Sequence, residues 1–306
     1  MQDFTLSYII TTKNKFSFLR ICLNQLMLNL QKDEEIIVID AGSTDGTIEF
    51  LDNLFQEGKI HQFITESDSG EGHGFNKGIL LANGDLIKVI TDDDYFNFPA
   101  IQECKKIMLG NKNIDVMIGN VCSLELENFN SIYLEEEVEA KYKNYLLNGD
   151  PFAFTGLSLL IRQKSIPLTG LFNSNIVCVD TEFALRITEI GVKIAWSSSI
   201  VAIRIGNSKS KINNISNETH KLELDRFLYF YDHEYRKRIN NLLLTLLRKF
   251  KTLFKNTKKL FKVSSNQGSD LKNIYCTIEH IESVNKKCGE YILNLNKEKS
   301  NFIFSE

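Results

Sequence analysis

The stretch Asp85-Leu-Ile-Lys-Val-Ile-Thr-Asp-Asp-Asp94 joins a short apolar, β-branched run to three consecutive aspartates. The run has the composition of a buried strand that ends where the carboxylates begin. Three adjacent carboxylates repel one another unless a positive charge lies among them. A hard divalent cation such as Mg²⁺ or Mn²⁺ suits an all-oxygen cluster of this kind. Because Asp is also common in surface turns, the stretch alone leaves both interpretations open.

Strands and helices alternate upstream of the aspartates. In order, the apolar spacing predicts a strand over 6–12, a helix over 18–30, a strand over 35–40, a helix over 47–55, a strand over 59–65, a glycine-rich loop over 68–74 and a helix over 75–82. This alternation predicts an α/β fold with a doubly wound, mainly parallel sheet and helices on both faces. Ligands bind such sheets at the carboxyl ends of the strands, which is where the aspartates lie.

The pattern loosens downstream. It predicts helices over 101–109 and 180–190, a strand over 115–124, two short strands over 192–196 and 199–203, and a helix within the acidic stretch 134–143. Beyond residue 215 the chain is predicted to be a helical extension, with one helix across 239–261 and another around 271–295.

Composition narrows the class of protein. The 306 residues are 43% hydrophobic and 25% charged, which is typical of a globular protein. No apolar stretch approaches the roughly 20 residues of a spanning helix, and the N-terminus lacks the pattern of a secretory signal. The six cysteines have no metal-binding spacing. We therefore expect a cytoplasmic protein with reduced thiols.

The basic segment 236–262 contains ten Lys or Arg and no Asp or Glu, although the net charge of the chain is −3. Its apolar residues follow helical spacing, so the segment predicts an amphipathic helix with a basic face. Such a helix suits an anionic membrane surface; docking of the apolar stripe onto the protein body is the alternative. Nucleic acid is not expected as a partner, since stacking aromatics or a flexible arm would be needed. We expect peripheral association with the inner face of the cell membrane.

Four blocks of this sequence resemble the family 2 inverting glycosyltransferases of the GT-A fold. They are 9–14, 35–47, 66–78, and 82–85 with the aspartates that follow, in the family's order and at its spacing over residues 6–96. The resemblance thins over 97–205 and is absent from the C-terminal extension. It implies a bacterial surface-polysaccharide enzyme with a donor-binding half (1–98) and an acceptor-binding and catalytic-base half (99–215). The helical extension (216–306) is predicted from the apolar spacing alone.

The resemblance also implies an activity and a set of ligands. A sugar would pass from a nucleotide donor, UDP-linked, to a saccharide or lipid-linked acceptor, with Mn²⁺ or Mg²⁺ as cofactor. The family's D-x-D signature falls on Thr91, Asp92 and Asp93, with Thr91 in place of the first Asp. Asp93 is then the leading metal ligand and Asp94 a possible second one. The positions that match the family's donor site are Thr11, Asp40, Asp68, Asn76, Gly78 and Asp92.

A catalytic base is implied at Asp180, which lies in a stretch that resembles the family's distal acidic motif. Such a base accepts the proton of the attacking hydroxyl, and Glu182 is the reserve candidate. Alternatively, Asp180 caps its helix while Glu182 and Arg186 form a surface ion pair. For the whole chain, the alternatives are a non-catalytic nucleotide-sugar-binding module and a sugar nucleotidyltransferase. The second is disfavoured because residues 9–15 contain no glycine.

Overall fold

The computed structural model describes residues 4–126, 128–134, 137–206, 217–253, 277–295 and 301–304. The described strands are β1 (Leu6–Thr12), β2 (Glu34–Asp40), β3 (Gln62–Thr65), β4 (Leu86–Thr91), β5 (Tyr95–Phe96), β6 (Val116–Glu125), β7 (Asn128–Leu134), β8 (Leu159–Arg162), β9 (Ile194–Gly206) and β10 (Phe302–Ile303). The described α-helices are α1 (Phe16–Asn29), α2 (Thr47–Gln56), α3 (Glu71–Leu81), α4 (Phe98–Gly110), α5 (Glu137–Asn148), α6 (Ile166–Thr169), α7 (Val179–Glu189), α8 (Asn217–Tyr231), α9 (His233–Leu253) and α10 (Ile278–Leu295).

The described strands form one sheet in the order β10-β9-β6-β8-β4-β1-β2-β3, with β5 on β9 and β7 on β6. β3, β2, β1 and β4 are mutually parallel, and β6 is parallel to β9. The short strand β8 joins these two groups through antiparallel pairing with β4 and β6. The predicted α/β architecture is confirmed. One sheet runs through both predicted halves, so the sheet is not divided at residue 98. The division into domains stays a prediction.

Helices cover both faces of the sheet. Side chains of successive strand residues point to opposite faces, so β1 sends Tyr8 and Ile10 to one face and Ile9 to the other. The first face is packed by α1, α2 and α4, and the second by α3, α5 and α7. β1 and β2 are buried along nearly their whole length, as parallel strands covered on both faces must be.

Part of the loop predicted over 68–74 is helical, because α3 begins at Glu71 and includes Gly72 and Gly74; Gly78 lies in the predicted helix. The glycines let this helix lie close to β1. A Cβ atom at Gly74 would stand 2.7 Å from Thr11 Cγ2, and one at Gly78 would collide with Ile9 Cγ2. Close packing, rather than a turn, therefore accounts for glycine at both positions.

The two strands predicted over 192–196 and 199–203 are one strand, β9. Three serines interrupt the apolar pattern, but Ser197 and Ser199 are buried and bond to each other, and the register with β6 shifts nearby. An irregularity in a continuous strand explains the polar run. The predicted helix over 271–295 begins at Ile278 in the described part of the chain, and 271–276 lie outside the described residues.

The C-terminal helices attach at separate places. α8 packs against α7, and α10 lies beside α1, where Gln25 donates to Asn285 at 3.3 Å. α9 follows α8 directly and confirms a helix within the basic segment up to Leu253; residues 254–262 lie outside the described residues. No helix of the described ranges is both long enough and apolar enough to span a bilayer.

Candidate active site

The carboxyl ends of β1, β2 and β4 meet at one edge of the sheet. Thr11 pairs with Ile39 of β2 and with Thr91 of β4, while Thr12 pairs with Asp40. This register brings the predicted nucleotide residues of β1 and β2 beside the three aspartates. The close approach of α3 to Thr11 forms one wall of the same edge, and Asp68 Oδ2 lies near Gly74 in this wall.

Lys15 supplies the positive charge among the aspartates. Its ammonium lies 3.0 Å from Asp92 Oδ1 and 2.6 Å from Asp93 Oδ2. Burial lowers the pKa of Lys15, but the two carboxylates outweigh it and raise the pKa above its ordinary value. Asp92 also accepts a 2.8 Å hydrogen bond from Thr12, and its burial raises its pKa while Lys15 opposes the rise. The cluster is therefore held together by an ion pair rather than by isolated carboxylates.

Asp93 and Asp94 differ in their exposure and in their hydrogen-bond partners. The Asp93 side chain is 14% exposed against 5% for Asp92, so Asp93 is the more accessible partner of Lys15. Asp94 accepts from Thr91 Oγ1 at 2.5 Å and from the amide of Ile205 at 2.7 Å. These two bonds engage both of its oxygens and fasten β9 beside β4. Burial and the neighbouring Asp93 raise the pKa of Asp94.

Asp40 organises the turn that follows β2. It is fully buried, and its carboxylate accepts from the amides of Gly42 and Ser43, from Thr65 Oγ1 at 2.6 Å and from Ser43 Oγ. This set of donors satisfies both oxygens inside the protein. A direct contact of Asp40 with a nucleotide would require one of these bonds to be exchanged.

Asn76 and Asp68 shape the loop region around α3. The side-chain amide of Asn76 donates to the carbonyl of Phe172 at 2.8 Å and accepts from its amide at 2.9 Å. Asn76 therefore ties α3 to the segment before α7. Asp68 accepts from the amide of Gly70 at 3.0 Å, just before α3 begins. Both side chains therefore hold the backbone around the start of α3 in place.

Asp180 lies in the first turn of α7, which begins one residue earlier. Its Oδ1 accepts from the amide of Thr181 at 2.7 Å, and its Oδ2 accepts from the amide of Gly156 at 3.2 Å. Gly156 belongs to a 3-10 turn that the buried Lys88 holds through a 2.5 Å bond to the carbonyl of Leu157. Asp180 is thus an oriented carboxylate rather than a simple cap.

Glu71, the first residue of α3, connects Asp180 to the aspartate cluster electrostatically. The surrounding protein, followed by Asp180 and Asp93, raises the pKa of Glu71 to about 8. Because the residue is also exposed, water screens this shift and limits its size. The start of α3 lies against Val179 of α7 at Gly72 and against Thr11 of β1 at Gly74. Asp180 and the aspartate edge of the sheet therefore border the same end of α3.

Glu182 is occupied by other partners. Arg186 binds its two oxygens at 2.9 and 3.2 Å, and the Tyr231 hydroxyl donates to it at 3.0 Å. The pair with Arg186 was the predicted alternative for this residue, although Glu182 is buried rather than on the surface. A carboxylate neutralised by a guanidinium is a poor proton acceptor, so the geometry favours Asp180 over Glu182 as base.

The donor set fits a divalent cation that is shared with a diphosphate. In the part of the chain that the structure describes, no three His, Cys, Asp or Glu side chains converge on one metal position. Mg²⁺ is commonly held by one or two carboxylates together with substrate phosphates. Asp93 fits that requirement, because its side chain is accessible and Lys15 is its only partner among the described contacts.

Sequence reasoning missed Lys15, Glu71 and Lys88. A lysine just beyond the carboxyl end of β1 is a signal for Lys15, since that edge also carries the aspartates. Glu71 was hidden because its stretch was predicted to be a loop. Lys88 lies in the apolar run of β4, and nothing in the sequence indicates that its ammonium binds the carbonyl of Leu157.

Comparisons with known proteins agree with this fold and site. A family model described as Glycosyl transferase family 2 matches residues 7–166. An uncharacterized glycosyltransferase of Haemophilus influenzae is 30% identical over 222 residues, which cover 69% of this chain and 85% of that protein. The GalNAc(5)-diNAcBac-PP-undecaprenol beta-1,3-glucosyltransferase of Campylobacter jejuni is 28% identical over 169 residues, 52% of this chain and 54% of that protein.

Among solved structures, residues 1–349 of S. aureus TarS in complex with UDP-GlcNAc match with a TM-score of 0.56 at 15% identity, covering 76% of this chain and 69% of that one. At this identity the likeness concerns the fold. The fold, the site and the family match together define a glycosyltransferase. The chain belongs to glycosyl transferase family 2, and its predicted family, fold and enzyme class are confirmed.

Proposed function

We propose that this chain is a metal-dependent inverting glycosyltransferase that moves a sugar from a UDP-linked donor to a saccharide or lipid-linked acceptor in cell-surface polysaccharide synthesis. The observation that carries the proposal is that both Asp93, paired with Lys15, and Asp180, held by two backbone amides, border the start of α3. The Campylobacter relative, whose name describes a glucosyltransferase and an undecaprenol-linked compound, supports a lipid-linked acceptor. The complex of TarS with UDP-GlcNAc supports a UDP-linked donor.

The donor half binds the nucleotide sugar. Thr11 and the turn held by Asp40 form the floor for the nucleoside, and Asp68 accepts from donor hydroxyls. Gly78 lets α3 approach β1, while Asn76 keeps the adjacent segment in place. Asp92 faces the ribose or diphosphate and is oriented by Thr12.

Asp93 would hold Mn²⁺ or Mg²⁺, and Asp94 is proposed as a second ligand. When bound, the ion stabilises the charge that builds on the leaving nucleoside diphosphate. Lys15 can turn from the carboxylates toward the diphosphate, because a flexible side chain of this length carries its charge at the tip. Lys15 would then add its charge to the stabilisation of the leaving group.

Asp180 accepts the proton of the attacking hydroxyl. The acceptor oxygen forms a bond to the anomeric carbon from the side opposite the diphosphate, the bond from that carbon to the diphosphate oxygen breaks, and UDP leaves. The amides of Gly156 and Thr181 hold the carboxylate in a fixed orientation. A single displacement of this kind inverts the configuration of the anomeric carbon.

A donor screen tests this function. UDP-glucose, UDP-galactose, UDP-GlcNAc and UDP-GalNAc are each incubated with the protein and Mn²⁺, and released UDP is measured. We expect UDP release from at least one donor, and its loss on chelation. Release of pyrophosphate would indicate a nucleotidyltransferase instead, and tight donor binding with neither donor hydrolysis nor transfer across a panel of acceptors would indicate a binding module.

We further propose that α9 attaches the enzyme to the inner face of the cell membrane. Leu242, Leu243 and Leu244 are 61, 49 and 51% exposed, and the same segment carries the basic residues of 236–262. An amphipathic basic helix with exposed leucines suits an anionic bilayer interface. Each basic residue near such a surface adds about 1 kcal/mol of binding energy.

Vesicle sedimentation tests the membrane proposal. The full chain is expected to sediment with phosphatidylglycerol vesicles and to be released by high salt, whereas Leu242→Ser with Leu243→Ser stays in solution. Leu147→Ser, which changes an 83% exposed leucine of α5, is the matched control and should sediment normally. Equal sedimentation of the double variant and the wild type would contradict the proposal.

A further inference from the structure

We propose that α8 is a positioning element for the catalytic base, and that Glu223 and Tyr231 hold the first turn of α7 from both sides of Asp180. The inference rests on the proposed function only where it names Asp180 as the base. The family match ends at residue 166, so it covers neither helix. The contacts between α7 and α8 lie beyond the matched range.

Glu223 binds the backbone that leads into α7. Its carboxylate accepts from the amide of Val177 at 3.0 and 3.2 Å and from the amide of Cys178 at 3.1 Å. Cys178 precedes α7 and makes no capping bond with its own side chain. The amides at the start of a helix need acceptors, and a carboxylate there also interacts favourably with the helix dipole. Glu223 supplies this acceptor from a different helix.

Tyr231 binds the same turn on the other side. Its hydroxyl donates to Glu182 at 3.0 Å, and Glu182 is paired with Arg186. Arg186 in turn donates to the backbone carbonyls of Thr169 and Leu171. Asp180 lies between the segment that Glu223 binds and the residue that Tyr231 binds, so α8 fixes both flanks of the proposed base.

Apolar packing keeps the two helices together. Cys178 and Leu185 pack with Phe227 of α8, and Tyr231 lies against the same cluster. Cys178 Sγ is 3.1 Å from His220 Nδ1. Burial, Glu223 and Asp180 raise the pKa of Cys178 to about 12, so the thiol is neutral and serves packing rather than nucleophilic chemistry. These contacts make α7 and α8 one local unit.

If α8 positions the base, loss of its contacts with α7 should lower turnover and leave donor binding unchanged. A base misplaced by about 1 Å can cost about 100-fold in rate, while the donor half binds UDP through β1, β2 and α3. Glu223→Ala should therefore lower UDP release about 10- to 100-fold and leave UDP binding by calorimetry unchanged. Glu223→Gln should keep most of the activity, since its amide oxygen can accept from the same backbone amides. Tyr231→Phe should give a milder loss.

Hydrogen exchange provides a readout that does not depend on turnover. In Glu223→Ala, amides of residues 177–182 should exchange faster while those of β1 and β2 keep their protection. Glu218→Ala, which changes an exposed glutamate of the same helix, is the matched control and should match the wild type. Wild-type exchange at 177–182 in Glu223→Ala, or wild-type UDP release, would overturn the inference, as would loss of protection throughout the protein. Absence of UDP release from the wild type would refute the proposed function instead, and the exchange experiment would still decide whether α8 holds α7.

Discussion

Asp180→Asn should lower the rate of sugar transfer by about 10²- to 10⁴-fold, the usual contribution of a positioned general base. Asn is close in size to Asp and can keep an acceptor oxygen toward the amide of Gly156 or Thr181. It cannot take up the hydroxyl proton. Steady-state rates with the donor that the screen identifies, together with UDP binding by calorimetry, measure both properties.

The control for this variant is Asp52→Asn, which changes an exposed aspartate of α2. Its rate should equal that of the wild type. If Asp180→Asn kept wild-type turnover, Asp180 would not be the base, and a similar test of Glu182→Gln would then be decisive. We expect Glu182→Gln to lower the stability of the protein rather than the rate of the chemical step, because it breaks the buried pair with Arg186.

Asp93→Asn should reduce transfer by about 10²- to 10³-fold, because the stabilisation that a bound ion gives to developing charge is worth several kcal/mol. Loss of the carboxylate also removes one partner of Lys15. Binding of Mn²⁺ in the presence of UDP, measured by electron paramagnetic resonance, should weaken in parallel. Undiminished Mn²⁺ binding and turnover in this variant would contradict the assignment.

Asp94→Asn separates the two roles considered for Asp94. If Asp94 is a second ligand, Mn²⁺ affinity falls in this variant as it does in Asp93→Asn. If it only fastens β9 through Thr91 and the amide of Ile205, Mn²⁺ affinity stays constant while thermal stability falls. The contacts of its two oxygens make the stability change the larger expected effect.

The sequence predicted the parts of the site that depend on local pattern. Apolar runs identified β1, β2 and β4, and parallel strands place their carboxyl ends at one edge, so the positions of Thr11, Asp40 and Asp92 followed. The family resemblance added roles that spacing alone does not give. The first turn of α7 was predicted because its apolar residues repeat with helical spacing.

Other features depend on tertiary contacts that no local pattern encodes. Gly74 suggested a loop because the reason for a glycine there, close contact with Thr11 of β1, lies on another element. The serines of β9 suggested a break because their burial and mutual bond are not visible in the sequence. Nothing local in the sequence marks Glu223, because its contact with the amides before α7 is tertiary.

The most direct test of the central claim is a proton NMR time course of the UDP-linked donor that the screen identifies, with diamagnetic Mg²⁺ and an acceptor or water. The α-linked anomeric signal of the donor should decline as UDP appears, and the first-formed sugar product should carry the β configuration. A first product with the α configuration would contradict inversion with Asp180 as base, and release of pyrophosphate or persistence of the donor signal would contradict glycosyl transfer itself.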